Sequence, residues 1–326
     1  MSNEFFYESK KIRESLRERI IERTVGVSNL RFKDIIMQRH STSSLLKGVI
    51  SYIIHEGVGG NLPEDRKLEL ASGIEIICSA GALLDNVIDE HEERNGRTTY
   101  LREYGKSMQL AASQYVLHQG LRILLPFMIN FIQNYVDSYL IDQAVIGMIG
   151  MDIDTPETLG EQIQAIEMSN GIFHSVPFII AATTGTEVKD KIENIGLYGH
   201  NLGCGLAVYE EIRDILGEHG RRRATEVEDG RFITPLHYAS QMTDIYYKKY
   251  LGKKLTEQQY IELMQRLVQS GAITMSVNLA KSYLCHSQDA LSKAVDTDSY
   301  NRLNALTESI LNSLIALGGK ALHNYG

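Results

Sequence analysis

An all-α fold is what this 326-residue sequence predicts, and three observations carry the prediction. Apolar residues recur at three- and four-residue spacing through long segments, the period of a helix that buries one face. The whole chain holds five prolines and no tryptophan, so few points force a helix to break. Alternating β-branched and aromatic runs, the mark of strands, are nearly absent. No repeat, low-complexity tract or linker-like stretch divides the chain, so a single domain is expected over 1–326.

The elements follow in order. Residues 1–42 read as a peripheral N-terminal region, with an amphipathic helix laid on the outside to about Arg23 and the core beginning near Ser43. A helix over Ser43 to Glu56 stops at Gly57-Val58-Gly59-Gly60. Asn61-Leu62-Pro63-Glu64-Asp65 opens the next, which runs through apolar Leu70 to Leu84 as far as Asp89. After the turn Asn95-Gly96 come a helix over Tyr100 to about Leu117 and an apolar segment to about Met151. Asp154-Thr155-Pro156-Glu157 has the form of a helix start, with Asp154 or Thr155 as cap and Pro156 in the first turn. Helices over Glu157–Ala182 and Lys189–Leu216 are expected, the second carrying Gly199, Gly203 and Gly205 where something approaches closely. Gly217 to Gly230 reads as a loop or lid, and Pro235 to His323 as further helices.

Composition narrows the function. A net charge of -8 argues against nucleic-acid binding. Three cysteines at no metal-ligand spacing suit a reducing compartment, and a charged N-terminus is no signal peptide, so a cytoplasmic location is expected. The most apolar window, Leu121 to Ile132, carries Arg122, Pro126 and Asn130 and is too short to be a transmembrane span.

Two acidic clusters carry the chemistry. Asp85 and Asp89 stand at i and i+4 on one helix face, where two carboxylates repel unless a cation joins them. Glu210 and Asp214 repeat that spacing at the end of a glycine-rich apolar run, with Glu211 beside them. Each cluster alone can be a solvated helix end; together they suggest facing acidic sites. Oxygen ligands without His or Cys favour magnesium, with manganese possible, over zinc.

These stretches resemble the trans-isoprenyl diphosphate synthases of the polyprenyl synthetase superfamily. Asp85-Asn86-Val87-Ile88-Asp89 followed by Arg94-Asn95-Gly96 is similar to that family's first DDxxD and RRG. Glu210-Glu211-Ile212-Arg213-Asp214 matches its second DDxxD with glutamates in two places, and Gly230-Arg231 through Pro235 resembles GKxTLP. The resemblance implies a helical bundle around a deep central cavity, a homodimer, and three magnesium ions on the diphosphate of an allylic prenyl substrate. It implies metal ligands among Asp85, Asp89, Glu210, Glu211 and Asp214, and diphosphate cations at Arg94, Arg231 and Lys47. Ala80, Gly81, Ala82 and Phe173 would border the cavity, and the small residues suggest a C15–C20 or longer chain.

The departures matter as much. Ser43-Ser44-Leu45-Leu46-Lys47-Gly48 stands in register with the GKRxRP segment that binds isopentenyl diphosphate and keeps one cation. Cys78 replaces a His and Asn95 an Arg of the same site, while Ser169-Asn170 replaces a Lys-Thr pair on the allylic side. The expectation is therefore ionisation of an allylic diphosphate with capture of the cation inside its own chain, as in a terpene synthase. The alternatives are prenyl transfer to another acceptor such as a peptide, elongation with isopentenyl diphosphate, or a non-catalytic subunit of a heteromeric synthase.

Overall fold

The computed structural model describes residues 2–24, 30–88, 93–94, 97–129, 131–132, 156–218, 222–242 and 247–326. Among these the chain is helical almost throughout, with one pair of two-residue strands. In order they are α1 (Ser2–Thr24), α2 (Leu30–Thr42), α3 (Leu46–Gly57), α4 (Glu64–Ile88), β1 (Glu93–Arg94), β2 (Arg97–Thr98), α5 (Tyr100–Tyr104) and α6 (Lys106–Leu124). Then follow α7 (Leu159–Ile166), a π-helical turn (Glu167–Gly171), α8 (Ile172–Thr183), α9 (Lys189–Leu216), α10 (Thr225–Glu228), α11 (Thr234–Met242), α12 (Glu257–Gln269), α13 (Ala272–Ala294) and α14 (Thr297–Tyr325). The backbone divides into two compact units, one of residues 1–138, 176–196 and 290–305, the other of 139–175, 197–289 and 306–326.

In the first unit α4 is the central helix, flanked by α1, α3 and α6. Glycines let the axes approach: a Cβ on Gly73 would lie 2.8 Å from Leu124, and one on Gly120 2.5 Å from Ile77 Cγ1. Two buried polar side chains of α6 donate to α4 carbonyls, Gln109 to Leu83 and Ser113 to Ala80, each at 2.8 Å. Such pairing satisfies the Ser113 hydroxyl and the Gln109 Nε2 donor, which lowers the cost of burying them. Among the described residues α4 is the one helix long and apolar enough to cross a membrane, but most of that stretch is buried by its neighbours, as in a core helix.

Several local expectations change. The N-terminal region is two helices with Leu16, Ile20, Ile35 and Ile36 wholly buried, so it is part of the first unit's core and not an outer layer. The helix expected from Tyr100 to Leu117 breaks at Gly105, whose φ of 80° suits glycine, and resumes to Leu124. The cap expected at Asp154 or Thr155 falls outside the described residues, and the working cap is Thr158. Its hydroxyl accepts from the Glu161 N–H while the Glu161 carboxylate accepts from the Thr158 N–H, a reciprocal capping box.

In the second unit a core gathers Ile215, Leu236, Tyr247, Tyr250, Leu263 and Leu267 from α9 and the helices after it. A Cβ on Gly205 would lie 2.8 Å from Leu284 of α13, and one on Gly203 would collide with the π turn. The glycines of α9 therefore mark close helix contacts, as their concentration in the sequence suggested.

Candidate functional site

The first acidic cluster sits where α4 leaves its own core. Glu64 and Asp65 fill the first turn, where negative charge suits the helix dipole, and residues from Leu70 to Val87 are mostly buried. Asp85 is exposed one turn before the helix ends at Ile88, and Asp89 lies outside the described residues. The Arg94 backbone pairs with Arg97 across an antiparallel β1–β2 ladder; its side chain also lies outside the described residues. One turn below Asp85, Ala80 is buried while Gly81 and Ala82 are half-buried.

The Ser43–Gly48 segment packs on α4 through a buried acidic residue. Glu75, buried in α4, accepts from the Gly48 N–H at 2.9 Å and the Ser43 hydroxyl at 3.2 Å. Burial holds the Lys47 ammonium below the usual lysine range, with Cys78 and Glu75 pulling it back up and Arg39 repelling it further. Burial pushes the Cys78 thiol up to about 12, against the pull of Lys47. Lys47 and Cys78 thus influence each other electrostatically, together with the buried carboxylate of Glu75. Glu75 is the feature that sequence reasoning passed over; an acidic residue inside an apolar helical run was the available signal.

The second cluster shows three different environments. Glu210 is half-buried and takes the Arg213 guanidinium at 2.5 Å. Glu211 is buried, with one carboxylate oxygen on the Gln162 amide at 2.8 Å and the other on the Thr234 N–H at 3.0 Å. Burial raises its carboxyl to about 7 despite those two donors. It fastens α7 and α11 to α9, each oxygen accepting one hydrogen bond, so the residue expected among the metal ligands has a structural role in the second unit. Asp214, also buried, gives Oδ2 to the Glu226 N–H at 3.0 Å and its carbonyl to the Ala224 N–H at 2.9 Å, anchoring α10.

The neighbouring cations divide as well. Arg231 is half-buried behind Gly230, whose φ of 96° turns the chain there. Of the Arg221–Arg223 run, Arg222 pairs with Glu228 and Arg223 with Glu257 at 2.9 Å, both on the surface. Tyr198 is pure core, and His237 stands edge-on to Phe232 at 4.6 Å, held neutral by burial with its pKa near 4.

The π turn shapes the other wall of the second unit. Ser169 and Asn170 lie within it; Phe173 and His174, both half-buried, follow on the first turn of α8. His174 Nδ1 is 2.9 Å from the Asn170 carbonyl. A Cβ on Gly171 would meet the His200 ring at 2.6 Å, so the π turn and α9 touch here through Gly171 on one side and Gly203 on the other.

Among the described residues no three His, Cys, Asp or Glu side chains are gathered closely enough to hold a metal ion on their own. Asp85 in the first unit, and Glu210 and Asp214 in the second, are each oxygen donors of the kind a hard cation takes. Magnesium is commonly held by one or two carboxylates plus substrate phosphates, so a site with few protein ligands remains compatible with it.

No family model matches the chain. It is similar to the geranylfarnesyl diphosphate synthase of Aeropyrum pernix, 22% identical over 291 residues, 82% of this chain and 89% of that protein. Its fold is similar to that of the geranylgeranyl pyrophosphate synthetase of Pyrococcus horikoshii, with a TM-score of 0.84 at 16% identity over 95% of this chain and 98% of the other. A polyprenyl synthase of Caulobacter crescentus, solved with calcium and isoprenyl diphosphate, superposes with a TM-score of 0.83 at 15% identity over 95% of this chain and 97% of the other.

Proposed function

Because this chain is a divergent member of the trans-isoprenyl diphosphate synthase superfamily, an enzyme class of prenyltransferases, we propose that it ionises a trans-allylic prenyl diphosphate and transfers the prenyl group to an acceptor. The observation that carries this reading is that two long helices with buried apolar faces, α4 and α9, each carry a carboxylate near their C-terminal end that is not part of the apolar core, Asp85 exposed and Glu210 half-buried. The relatives are chain-elongating synthases, so transfer between molecules replaces the capture within one chain that the sequence favoured.

On α4 Asp85 would bind magnesium with Asp89 as a further ligand, and on α9 Glu210 would do so with Asp214. The bound metal supplies positive charge that stabilises the departing diphosphate. Arg231 and Arg94 would add hydrogen bonds to the same oxygens. Glu211 contributes by rigidity: it fixes the pitch of α9 against α7 and α11 and so the direction of Glu210. Small side chains at Ala80, Gly81 and Ala82 leave room below Asp85 for a chain of C15–C20 or longer.

Glu75 bears on the acceptor. Isopentenyl diphosphate would bring its own negative charge to the Ser43–Gly48 turn, where the turn's N–H and hydroxyl already serve a buried carboxylate. That supports an acceptor without a diphosphate. The test is incubation with geranyl, farnesyl and geranylgeranyl diphosphates plus Mg²⁺, with and without isopentenyl diphosphate, for wild type and Asp85→Ala. Diphosphate release that Asp85→Ala lowers at least a hundredfold with an unchanged circular dichroism spectrum is expected. Elongated products would overturn the acceptor assignment, and persistent release in Asp85→Ala the metal assignment.

A further inference from the structure

Arg222 and Arg223 play no part in the prenyl-transfer chemistry proposed above, yet they wall a cleft of their own. Segments 222–228 and 252–260 of the second unit form it, pinned by the Gly252 N–H on the Val227 carbonyl at 3.1 Å and the Leu255 N–H on Glu228 Oε1 at 2.9 Å. The cleft measures about 580 Å³, within the range of small-molecule sites. Lys254, Glu228, Glu257 and Tyr260 line it with the two arginines.

The two carboxylates do different things. Glu228 is mostly buried and holds the walls together, one oxygen on the Leu255 N–H and the other on the Arg222 guanidinium. Glu257 is exposed and takes Arg223 at 2.9 Å, a pair of the kind that water and salt weaken readily. Each arginine uses one of its five N–H donors in these contacts. Arg223 is further held over the buried Tyr260 ring, 5.0 Å from its centre. Lys254 is exposed and has no hydrogen-bond or ion-pair partner among the described residues. Three cations therefore meet two carboxylates, one of which is committed to structure.

The backbone beside the arginines is also special. Ala224 has a φ of 53°, a left-handed conformation that a residue with a Cβ rarely adopts, and its N–H is bonded to the Asp214 carbonyl at 2.9 Å. The chain directly after Arg223 is thus fixed and not a free loop. A run of like charges is usually a solvated face. The cleft, the stacked Arg223 and the available Lys254 set this one apart.

We propose that the cleft binds a phosphate-bearing small molecule, through residues other than those assigned to the reaction. Lys254 and the remaining N–H donors of Arg222 and Arg223 hold the phosphate oxygens. The phosphate displaces Glu257 from Arg223, while Glu228 keeps its place.

The test is calorimetric titration of the full chain with inorganic diphosphate, at about 0.15 M salt to screen diffuse attraction and with a chelator so that no metal is present. One saturating event per chain is expected. Lys254→Gln and Arg223→Gln should each weaken it about tenfold by removing charge-assisted bonds, and Glu257→Gln should tighten it by removing the competing carboxylate. Lys253→Gln takes the same charge from the exposed neighbour that does not line the cleft, and should leave the affinity within about twofold of wild type. All four side chains are exposed, so unchanged circular dichroism spectra are expected. ADP distinguishes the source of the phosphate: affinity no tighter than that of inorganic diphosphate identifies the free anion, tighter affinity identifies a nucleotide, and both support the site. Absence of saturable binding at millimolar diphosphate overturns the proposal, as does a loss in Lys253→Gln as large as in Lys254→Gln. Loss of binding in Arg231→Gln with retention in Lys254→Gln moves the anion to the diphosphate site of the reaction and overturns it too. Failure of prenyl transfer is a separate result, because this titration contains neither metal nor prenyl substrate.

Discussion

Replacing Glu211 separates its role as a tie between helices from a role as a metal ligand. Glu211→Ala would leave the buried Thr234 N–H and the Gln162 amide facing an apolar gap. At about 1–3 kcal/mol for each of the two stranded donors the loss is roughly 2–6 kcal/mol, a drop in Tm of about 4–12 °C at about 2 °C per kcal/mol. Glu211→Gln keeps the shape; once the Gln162 amide turns over, both contacts can re-form. Charge distinguishes the two further. The carboxyl ionises near 4.5 in the unfolded chain and near 7 in the folded one, so between these values the folded state binds more proton and stability falls as pH rises. Raising it that far costs roughly 3 kcal/mol above pH 7. Urea unfolding at pH 5 and pH 8, without metal or diphosphate, is the assay. Glu211→Gln should match or exceed wild type at pH 8 and lack that decline, while Glu211→Ala is weaker at both. A Glu211→Gln protein as unstable as Glu211→Ala at pH 8 would refute the reasoning, and an alanine variant within 0.5 kcal/mol of wild type, about the spread of neutral surface substitutions, would remove the tie altogether.

Two buried histidines should oppose that trend. Burial, with Arg39 adding repulsion, takes His40 to about 3, and burial takes His237 to about 4. Both lie below the unfolded value of 6.5, so their contribution is complete above that pH and is lost as pH falls below it, by up to about 1.4 kcal/mol per group per pH unit. In the Glu211→Gln background, unfolding curves between pH 7.5 and 5 should show the loss, and His237→Gln should make it shallower; an unchanged slope would count against the assignment. Thr158→Ala should cost about 1 kcal/mol by undoing the capping box, with faster amide exchange at Glu161 and Gln162 as the local sign.

Sequence alone determined the helical class, because the three- and four-residue spacing of apolar side chains is a property of the local chain. It located α9 at Lys189–Leu216 and marked its glycines as points of close approach, since a helix keeps such residues only where a neighbour needs the space. It also found both acidic clusters, because i, i+4 spacing puts two carboxylates on one face whatever surrounds them. What that face meets was decided by the tertiary structure. Glu210, Glu211 and Asp214 read as one ligand set in the sequence, yet donors from α7, α10 and α11, distant in the chain, hydrogen-bond to both oxygens of Glu211 and to one of Asp214. Glu75 was hidden for the same reason: its partners arrive from the Ser43–Gly48 turn. The π turn at Glu167–Gly171 had no period to betray it, for an i to i+5 ring changes one residue of register while the apolar pattern continues on either side. That one residue puts Asn170 and His174 against Gly203, a contact between separate helices that local spacing cannot encode.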